Sequence, residues 1–301
     1  MKIAVTGAYS YSGKYITQRL LERGEEVITL TGHPGRTDPF AGRVMAFPLD
    51  FNDEQGLARS LRGTQVLVNT YWIRFDRGAN TQPRAVENTR KLIKAAQAAG
   101  VARIVHISIT NPSPDSPLPY FWGKAANEQA VIESGLSYAI LRPTVLVGSE
   151  DILINNIAYL LRRFPVFAIP GDGSYRLQPV FVGDLADMAA QAVYDKDDCI
   201  TDAVGPDIFT FKQMVSLIGE KIGARRPLIS VPPRLALSAA NVLSRFVSDI
   251  LLTPEELDGL MMNLLVSAQP PCGKTRLGDW LDANRHLVGV RYASELKRHF
   301  A

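Results

Sequence analysis

Residues 2–13, Lys-Ile-Ala-Val-Thr-Gly-Ala-Tyr-Ser-Tyr-Ser-Gly, constrain this chain more than any other stretch. Lys2–Thr6 is a short apolar run that reads as a buried strand. It enters Gly7–Gly13 directly, and helical spacing follows over Ser12–Arg23. So short a passage from strand to helix asks for small residues at three places: the tight turn, the point of close backbone approach, and the helix–strand contact. Gly7 and Gly13 fill the outer two, and Ser10 the middle one. The helix N-terminus adds N–H groups without helical partners and the positive end of a dipole, which suit a diphosphate. Gly7, Tyr9, Ser10, Tyr11, Ser12 and Gly13 are therefore the candidate cradle.

The same strand–helix rhythm continues. Further strands are expected at Glu26–Leu30, Val44–Phe47, Gln65–Thr70, Arg103–Ser108 and Ser137–Leu141, with helices at Asp53–Leu61, Pro83–Ala99 and Tyr120–Glu133 between them. This alternation predicts an α/β fold, a doubly wound parallel sheet with helices on both faces. After Pro143 the pattern loosens. Leu177–Val182 and Ile200–Val204 read as late strands returning to the sheet, Thr210–Ile222 as a helix capped by Thr210, and Pro227–Ala301 as mostly helical. The expected organisation is a nucleotide-binding core at 1–147, joined by 177–204, and a smaller, mostly helical, discontinuous substrate lobe at 148–176 and 205–301.

Composition excludes several classes. A net charge of +3 over 301 residues, with no long basic run, gives no footing for nucleic acid. The 2 cysteines, Cys199 and Cys272, lie far apart and suggest neither a disulfide framework nor a metal site. Leu235–Leu252 is interrupted by Asn241, Arg245 and Asp249, so no membrane span is expected, and the N-terminal apolar run is too short for a secretory signal. The expectation is a cytoplasmic monomer or homodimer acting on a small molecule.

The end of the second strand bears on the choice between NAD and NADP. An acid there would hold a ribose 2′-OH, and an arginine favours a 2′-phosphate. Leu30-Thr31-Gly32-His33-Pro34-Gly35-Arg36 contains no acid before Asp38. Gly32, His33 and Arg36 are therefore the candidate 2′-phosphate contacts, with NADP preferred and NAD still possible. Asp50 and Phe51, after the third strand, are candidates for the adenine.

Tyr120 and Lys124 stand one helical turn apart and share a face. An ammonium beside a phenol favours phenolate, which would let Tyr120 act as acid and base near neutral pH. Ser108 and Thr110 close the fifth strand and are candidates for orienting a carbonyl or hydroxyl oxygen. Thr70 and Tyr71, at the carboxyl end of the fourth strand, and Ile107, on the fifth, join the cofactor set. Trp72 and Phe75 are candidate substrate walls, with Asn155 and Arg176 as substrate contacts from the later lobe.

Gly7–Gly13, Asn88 in Ala-Val-Glu-Asn-Thr-Arg, Val-His-Ile-Ser at 105–108, Tyr120 with Lys124, Leu-Arg-Pro-Thr at 141–144 and the run 171–189 occur in one order. Together they resemble the short-chain dehydrogenase/reductase superfamily. The likeness is to its extended and atypical branches: epimerase/dehydratase-like proteins, NmrA-like proteins and an accessory subunit of respiratory complex I. The resemblance implies a Rossmann fold, a nicotinamide cofactor, Tyr120 as acid/base with Lys124 as its partner, Asn88 in the site, and Pro143 and Thr144 flanking the nicotinamide. Ile109 departs from the pattern, because many extended members carry a polar catalytic residue there. The expected activity is hydride transfer at a carbonyl or alcohol carbon, as an oxidoreductase or epimerase/dehydratase. The alternative is a non-catalytic NADP(H)-binding sensor or assembly factor.

Overall fold

A computed structural model describes residues 1–247 and 249–294, so the last seven residues of the expected C-terminal helical region lie outside the described residues. The chain runs β1 (Lys2–Thr6), α1 (Tyr11–Glu22), β2 (Glu26–Thr31), β3 (Met45–Pro48), α2 (Glu54–Ser60), β4 (Val66–Asn69), α3 (Gln82–Ala98), β5 (Arg103–Ile107), α4 (Pro119–Ile132) and β6 (Ser137–Leu141). It continues through β7 (Leu146–Val147), α5 (Leu153–Arg163), β8 (Phe167–Pro170), β9 (Arg176–Leu177), β10 (Val180–Phe181), α6 (Val182–Ala192), β11 (Cys199–Thr201) and β12 (Phe209–Thr210). Last come α7 (Phe211–Lys221), β13 (Leu228–Val231), α8 (Pro233–Val247), α9 (Pro254–Met261) and α10 (Leu277–Asn284).

Two compact units result. The first comprises Met1–Pro143 and Val182–Ala203, the second Thr144–Phe181 and Val204–Ala301. In the first, seven strands form one sheet in the order β11-β6-β5-β4-β1-β2-β3. Every pairing in it is parallel. The expected α/β doubly wound fold is therefore present. Leu57, Leu61, Leu92, Ala96 and Val131 of the α2–α4 side pack on Ala4, Ile28, Leu67, Ile104 and Ile140 of the sheet. Each fully buried leucine or isoleucine contributes about 1.5–3 kcal/mol. On the other side α1 packs against α6. The strand order reverses between β1 and β4, so the loops leaving these two strands diverge and open a crevice at their carboxyl ends.

The unit boundaries differ from the sequence expectation. The first stretch ends at Pro143 rather than 147, and 177–181 belongs to the second unit. Leu177–Val182 is no strand of the large sheet. Leu177 pairs with Phe209 in an antiparallel two-stranded ladder, Val180 pairs with Leu146 in a parallel one, and Val182 already begins α6. Pro179 explains the break, since it has no N–H to give a ladder. Only Cys199–Thr201 returns to the large sheet, beside β6. In the second unit β13 pairs with β8, a strand the helical expectation for 227–301 missed. Thr210 caps α7 in a full capping box with Gln213. Among the described residues no helix is long and apolar enough to cross a membrane.

Candidate cofactor and catalytic site

The β1–α1 loop is tight for a local reason. Gly7 has φ +66°, a left-handed conformation that suits glycine, and its N–H bonds Leu30 O at 2.8 Å. Ser10 N–H returns to Gly7 O at 2.8 Å. A Cβ placed on Gly13 would lie 2.1 Å from Gly7 O, so only glycine lets α1 start this close to the turn. Ser10 stands at the N-cap, yet its side chain makes no capping hydrogen bond, and the first turn holds no acidic residue. The leading N–H groups of α1 have no helical carbonyl to take them. These features fit a diphosphate: a Cβ-free approach, a helix N-terminus and no competing carboxylate. Tyr9 points elsewhere, its hydroxyl donating to Val44 O at 3.0 Å with its ring near Phe40.

Past β2, Thr31 Oγ1 accepts from His33 N–H at 3.1 Å, and Gly32, His33 and Gly35 are exposed while Arg36 is half-buried. Asp38 is the one acid of this turn. Its two oxygens accept from Phe40 N–H at 2.7 Å and Gly42 N–H at 2.6 Å, which commits the carboxylate to the loop's own backbone.

The adenine and β4 candidates meet. Phe51 and Tyr71 have ring centroids 4.8 Å apart, and Asn88 Nδ2 donates to the Tyr71 hydroxyl at 2.9 Å. Asp50 instead turns onto Asn52 N–H, in the turn before α2. Thr70 donates its hydroxyl to Thr6 O, and its Oγ1 lies 3.7 Å from where a Gly7 Cβ would stand. Thr70 thus borders the cradle, and Trp72 lies two residues on. Phe75 lies further along the same loop, under the Arg74 guanidinium at 5.7 Å.

The Tyr120–Lys124 pair sits on α4. Trp72 meets Tyr120 edge-on, with centroids 5.8 Å apart at 89°. The indole also lies over the Lys124 ammonium at 5.1 Å, and a Cβ on Gly123 would stand 2.5 Å from its Cη2. Lys124 is only 3% exposed and donates to Ile107 O at 2.9 Å. Burial lowers its pKa to about 7, against the raising pull of the Glu128 carboxylate. Glu128 is held by Arg142, whose Nε reaches Oε1 at 3.0 Å and Oε2 at 3.2 Å.

Ile107 therefore enters the site as a carbonyl acceptor. Beyond β5 the backbone keeps pairing, with Ser108 N–H on Leu141 O at 2.7 Å and Thr110 N–H on Pro143 O at 3.0 Å. Ser108 Oγ is buried without a hydrogen-bond partner. Ile109, beside it, is buried.

His106, in β5, is fully buried and has polar company. Asn69 Nδ2 lies 3.1 Å from His106 Nδ1, while Asn69 Oδ1 takes the Thr6 hydroxyl at 3.1 Å. Burial, with the Lys124 charge, pushes the imidazole pKa down to about 3. His106 is thus neutral with its proton on Nε2, which has no partner.

The second-unit candidates lie on separate elements. Asn155 Nδ2 donates to Asp151 O and Asp151 Oδ2, both at 3.0 Å, and Oδ1 accepts from Gly289 N–H at 3.2 Å. Its amide is spent on the α5 entry, where Asp151 accepts Ile154 N–H at 2.7 Å. The amide named as a substrate contact thus closes a turn at the α5 entry. Thr144 is likewise buried, with its hydroxyl on Gln178 O. Arg176 is exposed on β9.

Residues 7–156 match the model of a family described as NAD(P)H-binding. A mitochondrial NADH dehydrogenase [ubiquinone] 1 alpha subcomplex subunit 9 from Arabidopsis thaliana is 24% identical over 249 residues, 78% of this chain and 61% of its own length. This chain therefore spans less than two thirds of that relative. An NADPH-dependent quinone oxidoreductase from Escherichia coli, solved with NADPH, superposes with a TM-score of 0.75 at 21% identity, over 93% of this chain and 99% of the other. Citrobacter triphenylmethane reductase, solved with NADP(H), gives 0.75 at 17% identity, over 94% and 99%. At these identities the structural likeness shows the fold.

Proposed function

We propose, from the NAD(P)H-binding family match over 7–156 and the likeness to the extended, atypical branch of the short-chain dehydrogenase/reductase superfamily, that this chain is an NADP-dependent oxidoreductase or epimerase/dehydratase-like enzyme whose Tyr120 exchanges a proton with the oxygen of a small carbonyl or alcohol substrate. The observation that carries the reading is that Thr70 borders the Gly7 turn while Trp72, two residues on, lies against Tyr120 and Lys124.

When bound, the nicotinamide cofactor supplies hydride exchange with the substrate carbon. The β1–α1 loop would hold its diphosphate, and Phe51, Tyr71 and Asn88 would border its adenosine half. Arg36 and His33 would meet a 2′-phosphate. That preference is supported by Asp38, whose carboxylate is committed to Phe40 and Gly42 N–H groups and so does not compete for the ribose edge. Tyr120 Oη would donate its proton to a carbonyl oxygen or take one from an alcohol. The Ser108 hydroxyl, buried and unpartnered, would bond the same oxygen and fix its direction. Lys124 would place positive charge under this face when protonated, with Ile107 O holding its ammonium.

The test is NADPH oxidation across a panel of aldehydes, ketones and quinones. Tyr120→Phe is expected to lower kcat about 10²- to 10⁴-fold while the protein still binds nucleotide. Full turnover by that variant on a substrate the native protein reduces would overturn the assignment.

A second reading has its own support. Lys124 is withdrawn onto Ile107 O beneath Trp72, and apolar Ile109 stands where a polar residue is common. These features suit a nucleotide-holding sensor or assembly factor, a reading also supported by the likeness to a respiratory subunit. Nucleotide binding without turnover on any member of the panel would select it.

A further inference from the structure

Trp72 does more than border the site. Its ring fills the space that a side chain at position 123 would take, with Cη2 at 2.5 Å and Cζ2 at 2.9 Å from a Cβ built there. It stands edge-on to Tyr120 and covers the Lys124 ammonium. One indole therefore lies across Tyr120, Gly123 and Lys124, three successive positions on one face of α4. Its Nε1–H is buried and bonds nothing. The ring is thus held by face and edge packing alone, with no hydrogen bond to latch it. It is carried on the segment between β4 and α3, outside any strand or helix, with the backbone held at Tyr71 N–H by Thr6 Oγ1 and Asn69 Oδ1. The residues set out for the adenosine half lie on the β1–α1 and β2–β3 loops, at Phe51 and Tyr71, and on α3, whereas the indole's ring contacts are with Tyr120 and Lys124 of α4.

We infer that Trp72 is a gate on the cofactor site: its indole occupies the α4 face that the nicotinamide half of a dinucleotide must reach, so that half binds only in the fraction of molecules whose ring has swung off. This rests on the NADP(H) reading of the same site. The adenosine half binds without waiting for the ring. Apparent affinity for the whole dinucleotide is then reduced by the open fraction, and a change that frees the face raises it. Opening breaks one edge-on aromatic pair and one cation–π interaction, which together set the gate at about tenfold in affinity.

Isothermal titration with NADPH and with 2′,5′-ADP, the adenosine half alone, tests this. Two variants open the gate by different routes. Trp72→Leu removes the ring, and Gly123→Ala displaces it while Trp72, Tyr120 and Lys124 all keep their identities. In both, NADPH is expected to bind about tenfold tighter, with 2′,5′-ADP changed by less than about twofold. NADPH binding that weakens or stays constant in both variants, or a 2′,5′-ADP affinity that rises equally, overturns the gate. The cofactor reading fails separately: a native protein that binds neither nucleotide overturns both, whereas native binding of both without a gain in the variants overturns the gate alone.

Discussion

Gly13→Ala tests the cradle most sharply, because its consequence follows from one distance. The new Cβ would lie 2.1 Å from Gly7 O, 2.9 Å from Gly7 C and 3.0 Å from Ser10 Oγ. A carbon approaches a carbonyl oxygen to about 3.3 Å at closest. The turn and the start of α1 must therefore part by about 1 Å, and both are backbone, so no rotamer change relieves the clash. Overpacking of this kind costs about 1–3 kcal/mol in stability. The larger effect falls on binding. A 1 Å shift stretches a phosphate hydrogen bond from about 2.9 to about 3.9 Å, beyond useful range. Each such charge-assisted bond contributes about 1.5–3 kcal/mol. Loss of one such bond weakens NADPH binding about 10- to 150-fold. Gly278→Ala is the control, since a Cβ there would meet only Lys221 Cε, at 3.8 Å. Titration calorimetry at fixed salt reads the affinity, and circular dichroism reads the fold. If Gly13→Ala remains folded and binds NADPH within about threefold of the native protein, the loop is not the diphosphate site.

Two further outcomes follow from buried charges. The Lys124 pKa, lowered to about 7 in the folded chain, returns to about 10.4 on unfolding. The unfolded chain thus holds the extra proton between those values. The resulting cost is fully present below pH 7 and fades as pH rises toward 10, at no more than about 1.4 kcal/mol per pH unit. Urea midpoints from pH 6 to 9 are expected to rise relative to Lys124→Met, and a constant difference would contradict the burial argument. Arg142→Met strands the buried Glu128 carboxylate and is expected to cost about 3–5 kcal/mol, with much of the loss recovered by adding Glu128→Leu. Equal thermal unfolding of the single and double variants would count against this pair.

The first unit was legible because parallel strands buried on both faces leave continuous apolar runs, as in Ile3–Val5 and Val66–Val68, and because glycines or caps mark the helix ends. The second unit was less so. Its two-residue ladders at Leu146, Arg176, Val180 and Phe209 are too short for any periodicity. The helix α6 went unread because it opens directly on strand β10, with Val182-Gly183 where a cap is usual. At the site, the shared face of Tyr120 and Lys124 could be read from spacing alone. The rotamer that sends the Lys124 ammonium to Ile107 O could not, since it depends on a carbonyl on another element. Asp38 shows the same limit in a loop: its identity was plain, but its commitment to Phe40 and Gly42 N–H groups is set by the turn's shape. The Trp72–Gly123 contact joins residues far apart in the chain, and the one hint was a glycine inside a helix that has no need of one.

The most direct test of the account is a paired calorimetric titration of the native protein with NADPH and NADH. The proposal under test is one NADP(H) site formed by the β1–α1 loop and the acid-free edge at Thr31–Arg36. The prediction is a single site per chain, with NADPH tighter than NADH by about tenfold or more and that advantage lost in Arg36→Ala. Failure of the native protein to bind either nucleotide, or NADH binding as tightly as NADPH, would contradict it.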